Sequence, residues 1–215
     1  MTFDGWPPRA LDFFEGLEAD NSRAYWQANK GVYESDVRGP MEALFDELAA
    51  EFGNGKIFRP NRDVRFSADK SPYKTNIGGT LAEGGYVQFS VDGLAAGHGY
   101  YSMESDQLEK YRTAVADDHR GGQLLKAVAK IEKAGIDVTS FNSLKTAPRG
   151  YEKDHPRIEY LLHKSLVAWK EWPVEAWLET AAAKDHVVEF LRAVQPLGSW
   201  LDQHVGPTEK VRERR

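Results

Sequence analysis

The sequence contains no cysteine, so disulfide bonds, thiolate metal sites and a cysteine nucleophile are excluded. It also lacks any run of about 18 consecutive apolar residues, the length that a membrane-spanning helix needs. The first residues show neither the basic start nor the apolar stretch of a secretory signal. From these absences we expect a cytoplasmic protein with no membrane segment.

Familiar signatures of cofactor and catalytic sites are missing as well. Gly97 and Gly99 have neither the third glycine nor the strand-to-helix context of a dinucleotide site, and there is no P-loop. No pair of histidines has metal-ligand spacing, and no nucleophile elbow occurs. We therefore expect no cofactor and no metal.

Charge is unevenly distributed. The net charge of −5 argues against a general affinity for nucleic acid or for anionic membranes. The segment from Lys56 to Lys74, however, contains six basic and two acidic residues, which gives it a charge of +4. A cationic segment in an acidic chain predicts a small anionic partner; the pattern assigns no reaction and no oligomeric state.

Hydrophobic periodicity predicts the fold. With 41% hydrophobic and 12% aromatic residues, the chain can form a packed core, and we expect a single domain over residues 1–207 with a charged, frayed tail at 208–215. Helical spacing dominates both ends, whereas alternation dominates about residues 57–102. The predicted class is α+β: an antiparallel meander, to which residues 165–170 can return a further strand, packed on one face by the N- and C-terminal helices.

The alternation places one polar face on this sheet. In the predicted first strand, 63–67, Val64 and Phe66 point to the helices, so that Asp63, Arg65 and Ser67 point away. A second strand follows at 86–91 and ends in a hairpin turn. Its contributions to the polar face are Tyr86, Gln88 and Ser90. A strand over 73–77 would add either Lys74 and Asn76 or Tyr73 and Thr75, depending on register.

The cationic segment carries the candidate site. Guanidinium groups bind phosphate or carboxylate in bidentate fashion, and ammonium groups add positive charge. The predicted ligand-binding residues are Arg62, Arg65, Lys70, Tyr73 and Lys74. Tyr73 would orient the ligand, while Asp63 or Asp69 would hold the arginines. Two alternatives stay open: a noncatalytic module for an acidic protein or a nucleic-acid backbone, and a purely structural network of ion pairs.

A histidine completes the candidate catalytic residues, which are His98, Asp63 and Asp69. His98 lies on a predicted strand between two glycines and titrates near neutrality, so it can act as an acid or base if it faces Arg65. The flanking glycines have a second interpretation, because they also permit a helix to pack closely across the sheet.

The segment Arg62–Thr75 resembles the characteristic sequence segment of a family of conserved hypothetical proteins from bacteria and fungi, which is catalogued as a domain of unknown function. The similarity extends to Asn21–Trp26 near the start and to Pro148–Tyr151 and Asp154–Pro156 downstream. One departure is Ala68, where a lysine is common in the family. The resemblance implies a shared fold and a shared site, but it implies no activity.

Overall fold

The computed structural model describes residues 2–65 and 67–210. Its helices are α1 (Pro8–Ala19), α2 (Arg23–Val32), a π-helical segment (Tyr33–Arg38), α3 (Gly39–Phe52), α4 (Ser105–Ala116), α5 (Asp118–Lys133), α6 (Ile158–Leu162), a 3-10 turn (Ala176–Glu179) and α7 (Ala182–His204). Its strands are β1 (Gly55–Ile57), β2 (Asn76–Leu81), β3 (Gly85–Ser90), β4 (Gly93–Tyr100), β5 (Asp137–Thr139) and β6 (Leu166–Trp172). None of the helices in this described part is long and apolar enough to cross a membrane.

The strands form one antiparallel sheet of six in the order β1-β2-β3-β4-β6-β5. The predicted α+β class and the meander are therefore confirmed, and the strand expected near 165–170 is β6. The expected hairpin turn precedes β4, where Gly93 has a φ of 111° that side chains rarely tolerate. Strand β5 was not predicted, since its three residues lie in a segment with no visible alternation.

The front helices follow their local signals. Pro8 opens α1, where its missing N–H costs nothing. Ser22 caps α2 by accepting a hydrogen bond from the Tyr25 N–H at 3.1 Å. Helix α2 continues through the π-helical segment into α3, so the second and third predicted helices are joined without a break.

The chain divides into two compact units, Met1–Ala96 with Glu171–Phe190 and Gly97–Lys170 with Leu191–Arg215. In the first, Val87 and Phe89 of β3 are buried, and the Phe89 ring stacks on Trp6 with centroids 4.6 Å apart. A Cβ added to Gly55 of β1 would lie 1.9 Å from the Phe45 ring of α3. These contacts show which face of the strands the helices cover. The single domain expected over 1–207 stays a prediction.

The second unit is held by contacts to helix ends. Arg157 donates from Nε to the Val115 carbonyl at 2.6 Å and from Nη2 to Ala116 at 2.8 Å, which satisfies two carbonyls at the end of α4. The same Nη2 pairs with Asp118 at 2.8 Å. Arg157 thereby ties α4 to the start of α5.

The predicted strand over 63–67 is wrong, because residues 63–65 and 67 belong to no strand; the described part of residues 58–75 pairs only through an isolated bridge from Asn61 to Tyr73. Local side-chain bonds to the backbone compete with strand pairing in this segment: Asp63 accepts from the Arg65 N–H and Asp69 from the Ser71 N–H. The predicted orientation of Phe66 lies outside the described residues.

Candidate functional site

Residues 58–65 and 67–75 belong to a loop that leaves the sheet after β1 and returns at β2. Its two legs run side by side: Asn61 and Tyr73 form an antiparallel bridge, and the Lys74 N–H donates to the Pro60 carbonyl at 2.8 Å. The legs are therefore held together close to the sheet, and the basic residues divide into a group at the loop base and a group at its tip.

Two residues of the front helices hold the returning leg. The Asn21 side chain accepts from the Tyr73 N–H at 3.0 Å and donates to the Tyr73 carbonyl at 3.1 Å. The Tyr73 ring stacks on Trp26, with centroids 4.3 Å apart and planes 8° apart. Tyr73 is only 6% exposed. Its placement favours a role in holding the loop, and its predicted contact with a ligand stays a prediction.

At the loop tip Arg65 pairs with Asp63. Its Nε lies 2.9 Å from Oδ1 and its Nη2 lies 2.7 Å from Oδ2, so the guanidinium binds the carboxylate in bidentate fashion. This contact lowers the pKa of Asp63 to about 2. The Arg65 side chain is nevertheless 77% exposed. Exposed ion pairs exchange with water and with dissolved ions, so the pair does not lock Arg65 away from a ligand.

The second tip arginine, Arg62, pairs with Asp69. The other carboxylate oxygen of Asp69 accepts from the Ser71 N–H at 2.9 Å and from its hydroxyl at 2.7 Å, which forms a tight turn. The Ser71 bonds and Arg62 together hold the pKa of Asp69 well below its usual range. Lys70 donates to the Val64 carbonyl at 3.0 Å. The predicted contacts between arginines and aspartates are thus present, as local bonds of the loop.

The loop base carries a different kind of cation. Lys74 is half-buried, and its Nζ lies 5.2 Å from the centroid of the Phe58 ring. Burial and then the positive charge of Arg59 lower the pKa of Lys74. Within residues 2–65 and 67–210, no carboxylate forms an ion pair with Lys74 or Arg59. The charge of Asp63 reaches Arg59 without an ion-pair contact, and the Lys74 ammonium lies near a second positive charge.

The polar face of the sheet continues from this base. Phe58 donates its N–H to the Gly78 carbonyl, and its ring lies 6.4 Å from Tyr86. Tyr86 donates to Gln88 Oε1 at 2.7 Å, along the same face of β3. The register pairs Lys56 with Thr80 and Thr80 with Tyr86, so these residues share the face turned away from the helices. We call Lys56, Phe58, Arg59, Lys74, Tyr86 and Gln88 the base cluster.

His98 belongs to the second compact unit. It is 7% exposed on β4, and a Cβ added to Gly198 of α7 would lie 2.2 Å from its Nε2. A Cβ on Gly97 would lie 2.7 Å from the Trp169 ring. The close-packing interpretation of these residues therefore has direct geometric support, and the catalytic role of His98 stays a prediction.

The structure changes which predicted residues belong together. The polar face contains Tyr86 and Gln88 as expected, whereas Asp63 and Arg65 lie in the loop instead of on the sheet. Arg59 and Phe58 were not among the predicted site residues. The signal that could have identified Phe58 is the alternation over 56–59, which places Lys56 and Phe58 on one face.

No curated protein and no solved structure matches this chain. The model of a conserved hypothetical protein family, DUF2461, matches residues 9–200. This span runs from Arg9 in α1 to Trp200 in α7 and includes the loop and the base cluster. The chain therefore belongs to the conserved hypothetical protein family DUF2461.

Proposed function

We propose that the protein binds a small phosphorylated or carboxylated molecule at the base cluster. The observation that carries the proposal is the half-buried Lys74 ammonium beside Arg59, with no carboxylate of the described residues paired to either. Bringing like charges together in a partly desolvated place costs free energy, and an anion bound between them would offset this cost. We propose a cytoplasmic setting for this function.

Neutral groups of the base cluster suit the same ligand. The Tyr86 hydroxyl and the Gln88 amide supply hydrogen-bonding groups on the face that carries Lys56. The Phe58 ring is 38% exposed and offers an apolar surface to the body of the ligand. Few polar groups beside an aromatic surface are the usual composition of a small-molecule site.

The tip arginines extend the site in this proposal. Arg62 and Arg65 are paired with exposed aspartates, and water and dissolved salt weaken such pairs. A phosphate offers more negative charge than one carboxylate, so it can displace the aspartate. Asp63 and Asp69 would then keep the arginines oriented until the ligand arrives. We assign no catalytic step to these residues.

Calorimetric titration with pyrophosphate and with phosphate, at low and at high salt, tests the proposal. We expect binding that weakens as salt rises, because the contacts are charge-driven and exposed. Lys74→Gln should lower the affinity about tenfold, the value of one charge-assisted hydrogen bond. The matched control is Lys126→Gln, which removes an exposed lysine of α5.

Equal loss of affinity in the two lysine variants would show a nonspecific charge effect and would overturn the proposal. Absence of binding at low salt would do the same. In either case the paired arginines would be explained by the structural alternative, in which Arg62 and Arg65 only shape the loop. Retained affinity in Lys126→Gln with a loss in Lys74→Gln supports the base cluster.

A further inference from the structure

Lys74 differs from the other basic residues of the segment in its surroundings. Arg62 and Arg65 pair with aspartates, and Lys70 donates to a carbonyl of its own loop. The Lys74 amine instead lies over the face of Phe58, next to Arg59. Its backbone is fixed between the Pro60 carbonyl and the anchored Tyr73. A lysine held in a partly apolar place beside a second cation has the environment of amine nucleophiles.

We propose that Lys74 forms a reversible imine with an anionic aldehyde or 2-oxo acid. This inference rests on the proposed anion site, and it names the substrate class of that site as a carbonyl compound with a carboxylate or phosphate group. Arg59 and Lys56 would hold the anionic group, which brings the carbonyl carbon toward Nζ. Holding both reactants in one site raises the effective concentration of the carbonyl at the amine.

The chemistry of this step is balanced without an oxidant or reductant. The neutral amine attacks the carbonyl carbon and forms a C–N bond, while the carbonyl π electrons move to oxygen. A proton passes from nitrogen to that oxygen, giving a carbinolamine. Loss of the hydroxyl group with one more proton releases water and leaves a C=N bond. Hydrolysis reverses the sequence, so the ligand is held covalently but not permanently.

The groups around the amine act on the pKa of Lys74 in both directions. Burial and Arg59 both lower the pKa of Lys74, which increases the fraction of amine able to attack near neutral pH. The Phe58 ring opposes this in part, because a ring face stabilises a cation. Tyr86 is the titratable group on the sheet side, and its hydroxyl donates to Gln88. No carboxylate in the described part of the chain pairs with Lys74 to restore its proton.

The test is reductive trapping with glyoxylate as the probe. The full-length protein is incubated with glyoxylate and cyanoborohydride, and peptide mapping by mass spectrometry gives the rate at each lysine. We expect Lys74 to be modified about tenfold faster than exposed Lys126, since prior binding of the carboxylate concentrates the aldehyde there. Pyrophosphate, which has no carbonyl group, should slow modification of Lys74 and leave Lys126 unchanged.

Two measurements on the wild-type protein separate the two proposals: the affinity for pyrophosphate and the trapping rate at Lys74 relative to Lys126. In Lys74→Arg the preferred adduct should disappear, because the guanidinium group does not form the imine. If pyrophosphate binds to the wild-type protein but Lys74 is trapped no faster than Lys126, the imine is wrong and the anion site stands. If neither binding nor preference is seen, both proposals fail. If Lys74 is trapped fast but pyrophosphate does not slow the trapping, the imine does not form at the anion site and the inference is wrong.

Discussion

The side chain of Asn21 makes two hydrogen bonds to the backbone of Tyr73, one to the N–H at 3.0 Å and one from its own amide to the carbonyl at 3.1 Å. A primary amide can satisfy both groups of one residue in this way, as the next strand of a sheet would. Asn21 immediately precedes the cap of α2, and Tyr73 immediately precedes Lys74. The first helices therefore fix the position of the residue proposed to bind the ligand.

Replacing Asn21 tests this relationship. Asn21→Ala should lower the free energy of unfolding by about 1 to 3 kcal/mol, because it removes two hydrogen bonds and leaves two backbone groups unpaired. The Tyr73 amide should also exchange its hydrogen faster. Urea unfolding and hydrogen exchange measure the two effects. Exposed Asn54→Ala is the control, since the side chain of Asn54 makes no hydrogen bond within the described residues; equal losses in both variants would contradict the argument.

For the Arg62–Asp69 pair we predict a gain in anion affinity when the aspartate charge is removed. Asp69→Asn keeps an oxygen for the bonds to Ser71 but removes the charge that neutralises Arg62. Affinity for pyrophosphate should then rise about threefold to tenfold, and it should depend more steeply on salt. The variant should fold with nearly unchanged stability, because the pair is exposed.

Calorimetry at two salt concentrations checks this result. Glu83→Gln is the control, since Glu83 is exposed at the β2–β3 turn. A general electrostatic effect would raise affinity in both variants, whereas the proposal requires the larger gain in Asp69→Asn. Lower affinity in Asp69→Asn would mean that the aspartate is needed to shape the site.

Hydrophobic periodicity was sufficient for most of the fold. Helix α1 and strand β3 appear where the spacing of their apolar residues places them, because one face of each is buried against the other elements. The remaining parts of the fold depend on tertiary contacts, which periodicity does not encode. Val64 was predicted to lie on a strand, yet Asn61 and Tyr73 close the loop around that segment and leave it without a neighbouring strand.

The candidate site was predicted by charge and not by geometry. Counting charges selects the segment that contains Lys74, but charge alone does not distinguish a guanidinium in an ion pair from an ammonium outside one. The sequence names Arg65 and Lys74 as ligand-binding residues alike, while the structure places Asp63 against Arg65. Pairing of this kind depends on the loop conformation, which no periodic pattern encodes.

His98 and Gly198 give a prediction that separates packing from catalysis. Alanine at 198 would place its Cβ 2.2 Å from His98 Nε2, so Gly198→Ala should destabilise the protein by about 1 to 3 kcal/mol. In a His98→Ala background the clash is absent, and Gly198→Ala should then be neutral or stabilising, because alanine favours the helix by about 1 kcal/mol. Thermal unfolding of the four proteins in this cycle measures the coupling.

A coupling near zero would mean that the His98 ring can move away from α7, which the packing interpretation does not allow. Gly122→Ala in α5 is the control for helix propensity, since nothing lies within 4 Å of its Cβ position. This variant should gain stability in both backgrounds. The effect of glycine-to-alanine substitution on stability should therefore change sign between the two backgrounds at Gly198, and it should keep its sign at Gly122.

Because Tyr33 is buried, we predict that the protein loses stability at alkaline pH. Burial is the main cause that raises its pKa from 10.0 to about 12, and the ring is 2% exposed. Because the folded-state pKa lies above the unfolded one, the stabilising contribution is complete below pH 10 and is lost as the pH rises toward 12. One tyrosine accounts for at most about 1.4 kcal/mol per pH unit in that window.

Urea unfolding of the wild type and of Tyr33→Phe measures this contribution. The pH range runs from pH 8, about two units below the unfolded pKa, to pH 11, about one unit above it. The wild type should lose stability above pH 10, where the unfolded tyrosine ionises first. Tyr33→Phe should lose less over the same range, since phenylalanine has no proton to release. Tyr101→Phe is the control, because its side chain is 73% exposed. If Tyr33→Phe and Tyr101→Phe follow the same curve, the hydroxyl of Tyr33 reaches water, and the packing around the π-helical segment differs from the arrangement described.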